Sequence, residues 1–390
     1  MEIHIFDDFS FNKLLKQVLC PEFNVFPSAS LSNDIKDIVF YRFLKEQECI
    51  LDFMEGQQTA AINGSAGTGK TMIALEKARR NSANGDKVLF LCYNVKLQEF
   101  LARKYPEKNV DYFTIDGFIC KLTQSPYADY KTAKPLLENM YYSHKFPYKH
   151  VIVDEGQDFG KQEVEETNIL ELLKLNVTFD ENGTFYVFYD KLQMVQSDKI
   201  PSYIENPDCK LTLYRNCRNT ENIAKTSLKP IFNKPPRFED SITGVPVNIK
   251  YFNDEDAIND AVIQNIIELK RNGYKDIVVL TCKTEETSCI SDKVKDDISR
   301  RNVQFTTCRK FKGLEADAVI LIDVERDTFY GDHKLIYYVG ASRAKFSLDI
   351  LSAITDQECA AVLANDFGIK NAKMPKREFA KALNAIGTNR

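Results

Sequence analysis

From about residue 57 to 352, short apolar runs rich in β-formers alternate with stretches that carry apolar residues at helical spacing. Thr59–Ile62, Lys87–Cys92, His150–Asp154, Thr184–Asp190 and Lys210–Tyr214 predict one set of strands. Val247–Tyr251, Ile277–Thr281, Ala318–Val324 and Phe346–Leu351 predict a second set. Helices are expected over Thr71–Arg80, with Ile73 and Leu75 available to pack, and over 254–272 and 289–301. Strands alternating with helices specify an α/β fold whose parallel sheets are covered on both faces. A division near Ile200-Pro201-Ser202 predicts two such domains in tandem. The expected boundaries are a small N-terminal α/β appendage over 1–40, domains over 41–203 and 204–355, and a basic helical tail over 356–390. That tail carries Lys370, Lys373, Lys376, Arg377 and Lys381 against Glu378, which suits either a phosphate-contacting helix or a solvated one.

Composition changes this picture little. The chain has 390 residues, 28% of them charged, with a net charge of −4. A local basic groove can exist on such a mildly acidic body, so nucleic acid is not excluded. No apolar run approaches the roughly 20 residues of a membrane span, and the N-terminal MEIHIFDDF lacks the order of a signal peptide. No membrane partner is expected, and the expected location is cytoplasmic. The ten cysteines form no C-x-x-C pair, so reduced thiols fit better than a zinc site or a disulfide framework.

Chemistry enters at two places. Gly64-Ser65-Ala66-Gly67-Thr68-Gly69-Lys70-Thr71 fits G-x-x-x-x-G-K-[ST], whose backbone amides cradle nucleotide phosphates. Lys70 is expected on the β- and γ-phosphates and Thr71 on Mg²⁺, with the following helix offering its positive end. Eighty-four positions beyond Lys70, an apolar run ends in Asp154 and Glu155. Asp154 is the expected Mg²⁺ ligand and Glu155 the base for the attacking water. ATP and Mg²⁺ are therefore the expected cofactors.

Weaker motifs follow in a telling order, and here the chain resembles the UvrD/Rep/PcrA-like superfamily 1 helicases from about Phe43 to Leu351. Phe43–Gln47 resembles the Q motif, whose glutamine reads adenine. Leu89–Leu97 looks like motif Ia, and Tyr112–Phe118 like motif Ib. Asp154-Glu155-Gly156-Gln157-Asp158 matches the D-E-x-Q-D form of motif II. Phe188–Gln193 resembles motif III, Leu213–Thr220 motif IV, Thr307–Asp317 motif V, and Tyr338–Lys345 motif VI. The N-C-R-N-T and F-K-G-L-E-A-D wording is especially similar to the helicase module of nuclease-related-domain proteins.

The resemblance implies two tandem RecA-like domains with ATP at their interface. It implies that Gln193 senses the γ-phosphate and that Arg218 and Arg343 act as arginine fingers. It also implies that Gln47, Gly313 and Glu315 contact the nucleotide, and that Tyr93, Asn94, Thr114, Phe118 and Thr307 line a single-strand track. The pattern departs in places. Cys217 stands where a tyrosine often meets adenine, Arg309 where histidine is frequent, and Met194-Val195-Gln196 where aromatics usually follow motif III. Only 36 positions separate Phe118 from Asp154 and 94 separate Arg218 from Lys312, too few for the accessory domains 1B and 2B. In place of 1B, Ser125–His150 interleaves aromatic and basic residues, which suits either a single-strand groove or core packing. The expected function is ATP-dependent translocation on single-stranded or tailed DNA, 3′→5′ by resemblance, with a nuclease or other effector protein as partner in DNA repair or anti-phage defence. The alternative is a nucleotide-gated regulatory ATPase subunit that senses DNA and switches its partner. A third reading is an RNA-directed motor.

Overall fold

The computed structural model of the chain describes residues 29–159, 164–194, 201–231 and 242–389. Two six-stranded sheets organise them. The first has the order β3-β2-β4-β5-β1-β6, built from β1 (Thr59–Gly64), β2 (Val88–Cys92), β3 (Val110–Thr114), β4 (His150–Val153), β5 (Thr184–Tyr189) and β6 (Cys209–Leu213). The second has the order β12-β7-β11-β10-β8-β9. Its strands are β7 (Val247–Tyr251), β8 (Ile277–Thr281), β9 (Gln304–Thr307), β10 (Ala316–Ile322), β11 (Ala344–Ser352) and β12 (Ala385–Asn389). Every pairing in both sheets is parallel.

The continuous apolar character of the strands follows from burial of both sheet faces. In β2, Leu89 and Leu91 enter one core cluster, while Val88, Phe90 and Cys92 enter the other. In β10, Val319 and Leu321 face one layer, and Ala318, Ile320 and Ile322 face the opposite one.

Three expected boundaries need correction. The division at 203/204 falls ahead of β6, yet β6 pairs with β1 in the first sheet, with Ala61 opposite Lys210. The chain therefore leaves the first sheet only after Leu213. The segment 356–390 is no appended tail. Phe379 packs edge-on to Phe329 at 5.2 Å between ring centres, Leu383 is buried, and β12 closes the edge of the second sheet against β7. Sequence periodicity misses β12 because an edge strand such as Ala-Ile-Gly-Thr-Asn carries little apolar patterning.

The boundary at 40/41 cuts the helix α1 (Ala29–Glu48), and residues 1–28 lie outside the described ones. This helix spans the two domains. Phe40 stacks on Phe346 of the second at 6.3 Å and Asp37 pairs with Lys345 at 2.7 Å, while Leu44 packs on the core of the first.

Candidate nucleotide site and nucleic-acid interface

Sheet order decides which loops meet. β4, β5 and β1 are neighbours, so their C-terminal ends deliver Asp154-Glu155, Asp190 and the glycine loop to one place, as open α/β sheets commonly do. The loop leads into α2 (Lys70–Ala83), whose N-cap Gly69 sits at φ 83° and supplies no side-chain cap. The first amides of α2 are thus left for an anion. Gly67 also has φ 83°, and a Cβ there would lie 2.1 Å from Asn219 Oδ1. No side chain fits between this loop and the second domain.

Within the loop, Lys70 Nζ donates to the Gly64 and Ser65 carbonyls at 2.7 and 3.2 Å. Thr68 Oγ1 donates to Ser65 O at 2.8 Å. Thr71 Oγ1 donates to Asp154 Oδ2 at 2.7 Å, which joins the two expected metal-holding side chains. Asp154 Oδ1 accepts from the Glu155 amide at 3.0 Å, and Glu155 has left-handed backbone at φ 55°. Non-glycine residues in that region concentrate at functional sites.

Electrostatics separates the two acids. Burial, then the Glu155 charge, push the Asp154 carboxyl up. Burial would do the same to Glu155, but Lys312, Lys70 and Arg343 outweigh it and hold that carboxyl down. Lys312 comes from the second domain, is 6% exposed, pairs with Asp158 and stands 3.8 Å from Glu155. Burial alone would lower its ammonium pKa, and Asp158 and Glu155 reverse the sign.

The second domain reaches this centre along three segments. After β6 the chain crosses over at 214–220. There the Cys217 amide donates to Gly67 O at 2.8 Å, and Asn219 Nδ2 donates to Ser342 O and Ala344 O at 2.9 and 2.5 Å. Arg218 Nε pairs with Glu315 at 2.5 Å. Arg343, 2% exposed, follows α3 (His333–Ala341), donates to Val339 O at 2.9 Å and Leu314 O at 3.4 Å, and has its pKa lowered by burial and by Arg218. Tyr338 of α3 places its hydroxyl on the glycine loop, accepting from Ala66 N at 2.6 Å and donating to Asp190 Oδ2 at 2.9 Å. Tyr338, Asp190 and Lys312 lie inside the segments resembling motifs VI, III and V, yet no local pattern marks them as site residues. Their role arises only when the domains meet.

The expected base-reading side chain is also placed. Gln47 Nε2 donates to Arg215 O at 3.3 Å, while its Oε1 is buried with no hydrogen-bond partner. That atom lies 3.3 Å from where a Cβ on Gly69 would be. Beside it is a cavity of about 380 Å³ bordered by Tyr41, Leu44, Thr71, Tyr105, Cys217 and Glu315. An orphaned acceptor beside an uncapped helix start and an apolar slot fits a purine nucleotide. Gly313, at φ 85°, abuts Leu97 of the first domain on the same border.

Residues expected on a nucleic-acid track divide. Tyr93 is 43% exposed with Lys312 Nζ 5.4 Å from its ring centre, and Asn94 Nδ2 donates to Lys312 O at 3.1 Å. Thr307 ends β9 and lines a cavity of about 600 Å³ where Lys283, Arg309 and Lys310 stand among Glu285, Glu286 and Glu325, with Lys283 paired to Glu325 and Lys310 to Glu285. Thr114 caps the helix Ile115–Thr123, accepting from Gly117 N at 3.1 Å. Phe118 is a correction: it is 3% exposed and packs against Phe113 and Tyr148, so its ring cannot stack on a base. In the aromatic and basic segment before His150, Phe146 and Tyr148 pack on the core and, with Tyr141, His144 and Lys149, border a cavity of about 470 Å³ at the opposite end of the sheet from the glycine loop.

Two family models match the chain. Residues 57–228 match the Schlafen group 3 DNA/RNA helicase domain, and residues 302–348 match the UvrD-like helicase C-terminal domain. This chain has the two-domain core of a superfamily 1 helicase. The first match takes in the glycine loop, Asp154, Glu155 and Arg218; the second takes in Thr307, Lys312 and Arg343. No curated protein matches the chain.

Among solved structures it is similar to the arterivirus nonstructural protein 10 helicase, at 12% identity over 75% of this chain and 59% of that one, with a TM-score of 0.39. The PRRSV helicase matches at 13% identity over 76% and 53%, with a TM-score of 0.40. The C-terminal domain of a possible DNA helicase from Lactobacillus plantarum matches at 16% over 35% and 86%, with a TM-score of 0.29. The chain thus spans less than two thirds of the two viral helicases it matches.

Proposed function

We propose that the chain hydrolyses ATP between its two domains and uses the cycle to step along single-stranded DNA. The observation that carries this is the course of residues 307–315. Thr307 lines the mixed-charge cavity, the Lys312 carbonyl accepts from Asn94, the Lys312 ammonium faces Glu155, and Glu315 ends on Arg218. One short segment thus ties the candidate nucleic-acid side to the candidate hydrolytic side.

In this reading Lys70 and the loop amides bind the phosphates, and Gln47 reads the base with its free acceptor. Thr71 and Asp154 would hold Mg²⁺, which when bound neutralises phosphate charge. Glu155, kept ionised by Lys312 and Lys70, orients the attacking water and takes its proton. Gln193 senses the γ-phosphate once released from Asp190, to which its Nε2 donates at 2.9 Å. Arg218 and Arg343 re-aim from Glu315 and the Val339 carbonyl to stabilise transition-state charge, so hydrolysis requires a closed cleft. Repeated closing and opening of two domains that both grip a strand moves them along it.

A 3′→5′ direction, a nuclease or other effector partner, a setting in DNA repair or anti-phage defence, and the narrower kinship with nuclease-related-domain modules rest on resemblance. The test is steady-state ATP hydrolysis with and without single-stranded DNA or RNA, beside Glu155→Gln. Stimulation by DNA, absent in the variant, supports the reading. Hydrolysis indifferent to either strand points instead to the nucleotide-gated subunit, and stronger stimulation by RNA to an RNA-directed motor.

A further inference from the structure

The nucleotide reading above leaves the Tyr338 hydroxyl without a task, and on that reading we propose that Tyr338 and Asp190 are positioning residues. They tie the phosphate-binding loop of the first domain to α3 of the second and set the hydrogen bonds that hold Glu155. The path is continuous. Ala66 N donates to Tyr338 Oη at 2.6 Å, and that hydroxyl donates to Asp190 Oδ2 at 2.9 Å. The same carboxylate oxygen accepts from Gln193 Nε2 at 2.9 Å. Gln193 Oε1 accepts from Gln157 Nε2 at 3.4 Å, and that amide donates to Glu155 Oε2 at 2.6 Å. The Asp190 amide closes a second link by donating to Gln157 Oε1 at 2.9 Å. Tyr338, Asp190, Gln193, Gln157 and Glu155 are all buried. A satisfied buried network of this kind fixes one geometry, because each member that moves leaves a polar partner unpaired.

Two consequences follow from the first link. The Ala66 amide belongs to the loop that would cradle phosphate, and here a phenolic oxygen occupies it. A nucleotide that takes this amide must displace Tyr338, so the hydroxyl opposes binding. Tyr338 also sits on the helix that runs directly into Arg343, whose guanidinium is held by the Val339 carbonyl. Displacing the hydroxyl therefore disturbs the segment that carries the candidate finger. At the far end, the release of Asp190 frees Gln193 Nε2 to turn toward a γ-phosphate. In this arrangement occupancy of the loop in one domain is reported to the other through a single O–H group.

Tyr338→Phe keeps the ring and removes only that group. Loss of one competing hydrogen bond predicts tighter nucleotide binding, by about 2- to 10-fold in Kd. Loss of the positioning link predicts a fall in kcat of about 10-fold or more, since misplacement of reacting groups is costly. A damaged fold weakens binding and turnover together, so the opposite movement of Kd and kcat separates positioning from mere structure. Asp190→Asn, which retains the side-chain shape and leaves Tyr338 in place, should lower kcat with little change in Kd.

The experiment is titration of the wild type and both variants with a fluorescent ATP analogue, alongside steady-state kinetics with ATP. Tighter binding with slower turnover in Tyr338→Phe is the expected result. A Kd equal to or weaker than the wild type in Tyr338→Phe, with wild-type hydrolysis intact, overturns the proposal alone. A wild-type chain that binds the analogue but does not hydrolyse ATP refutes the ATPase reading, and the Kd comparison still decides whether Tyr338 guards the loop. A wild-type chain that binds no nucleotide overturns both.

Discussion

Replacing Lys312 with Met keeps an unbranched apolar stem against Tyr93 and deletes one charge from between two buried carboxylates. The ammonium stands 3.8 Å from Glu155 and pairs with Asp158, with little of either partner exposed. At that distance and an effective dielectric near 20, its attraction to Glu155 alone is about 4 kcal/mol. Removing one partner of such a buried pair costs about 3–5 kcal/mol, because the remaining charge has neither water nor counter-ion.

The acid can escape part of this cost by taking up a proton, and that fixes the sign with pH. In the wild type the Glu155 carboxyl is held down, opposed by burial but dominated by Lys312. Its contribution is present above the unfolded glutamate pKa and is lost as pH falls through the lower folded value. Without Lys312 the folded value rises, so the folded variant binds the extra proton and recovers as pH falls. Lys312→Met should therefore be destabilised by about 3 kcal/mol at pH 7.5 and by clearly less at pH 5. Urea unfolding at the two pH values measures this. A loss below about 1 kcal/mol at pH 7.5, the size of an exposed pair, or a loss that ignores pH, would refute the reasoning.

Other expectations use different handles. Lys70→Ala should lose nucleotide binding or hydrolysis, read by the fluorescent analogue and by phosphate release. Glu155→Gln should bind ATP yet turn over about 10²- to 10⁴-fold more slowly, the usual worth of a positioned base; a wild-type rate removes Glu155 from that role. Retained turnover in Arg343→Ala would dismiss the finger assignment. Gly67→Ala brings a Cβ to 2.1 Å from Asn219 Oδ1 at a positive φ. It should cost about 1–3 kcal/mol from backbone strain alone, seen as a lowered urea midpoint. Gln47→Ala should reduce discrimination between ATP and GTP by about 10-fold, the value of one or two hydrogen bonds, in competition binding.

Local chemistry made much of this protein legible from sequence. Apolar runs such as Val88–Cys92 announce strands because both sheet faces are buried, and the glycine-lysine loop announces itself because so few sequences can wrap a phosphate. The Thr71–Asp154 contact joins the two motifs because β1 and β4 flank β5, which sets their C-terminal ends one strand apart. Weak periodicity hid β12, and a strand that pairs across the chain defeated the boundary at 203/204: β6 belongs to the first sheet through its hydrogen bonds to β1, which no local pattern records. Phe118 was misread because an aromatic in a motif gives no sign of which way it points, and here it points into the core.

The remaining features belong to tertiary structure. The buried Lys312 between Glu155 and Asp158, the Tyr338 hydroxyl on the Ala66 amide, and the orphaned Gln47 oxygen each depend on residues more than a hundred positions apart, or on atoms left unpaired when distant segments meet. Sequence fixes which groups are available. Only the packing of two domains fixes which of them lose water together, and loss of water is what turns an ordinary lysine, tyrosine or glutamine into a group that governs a site.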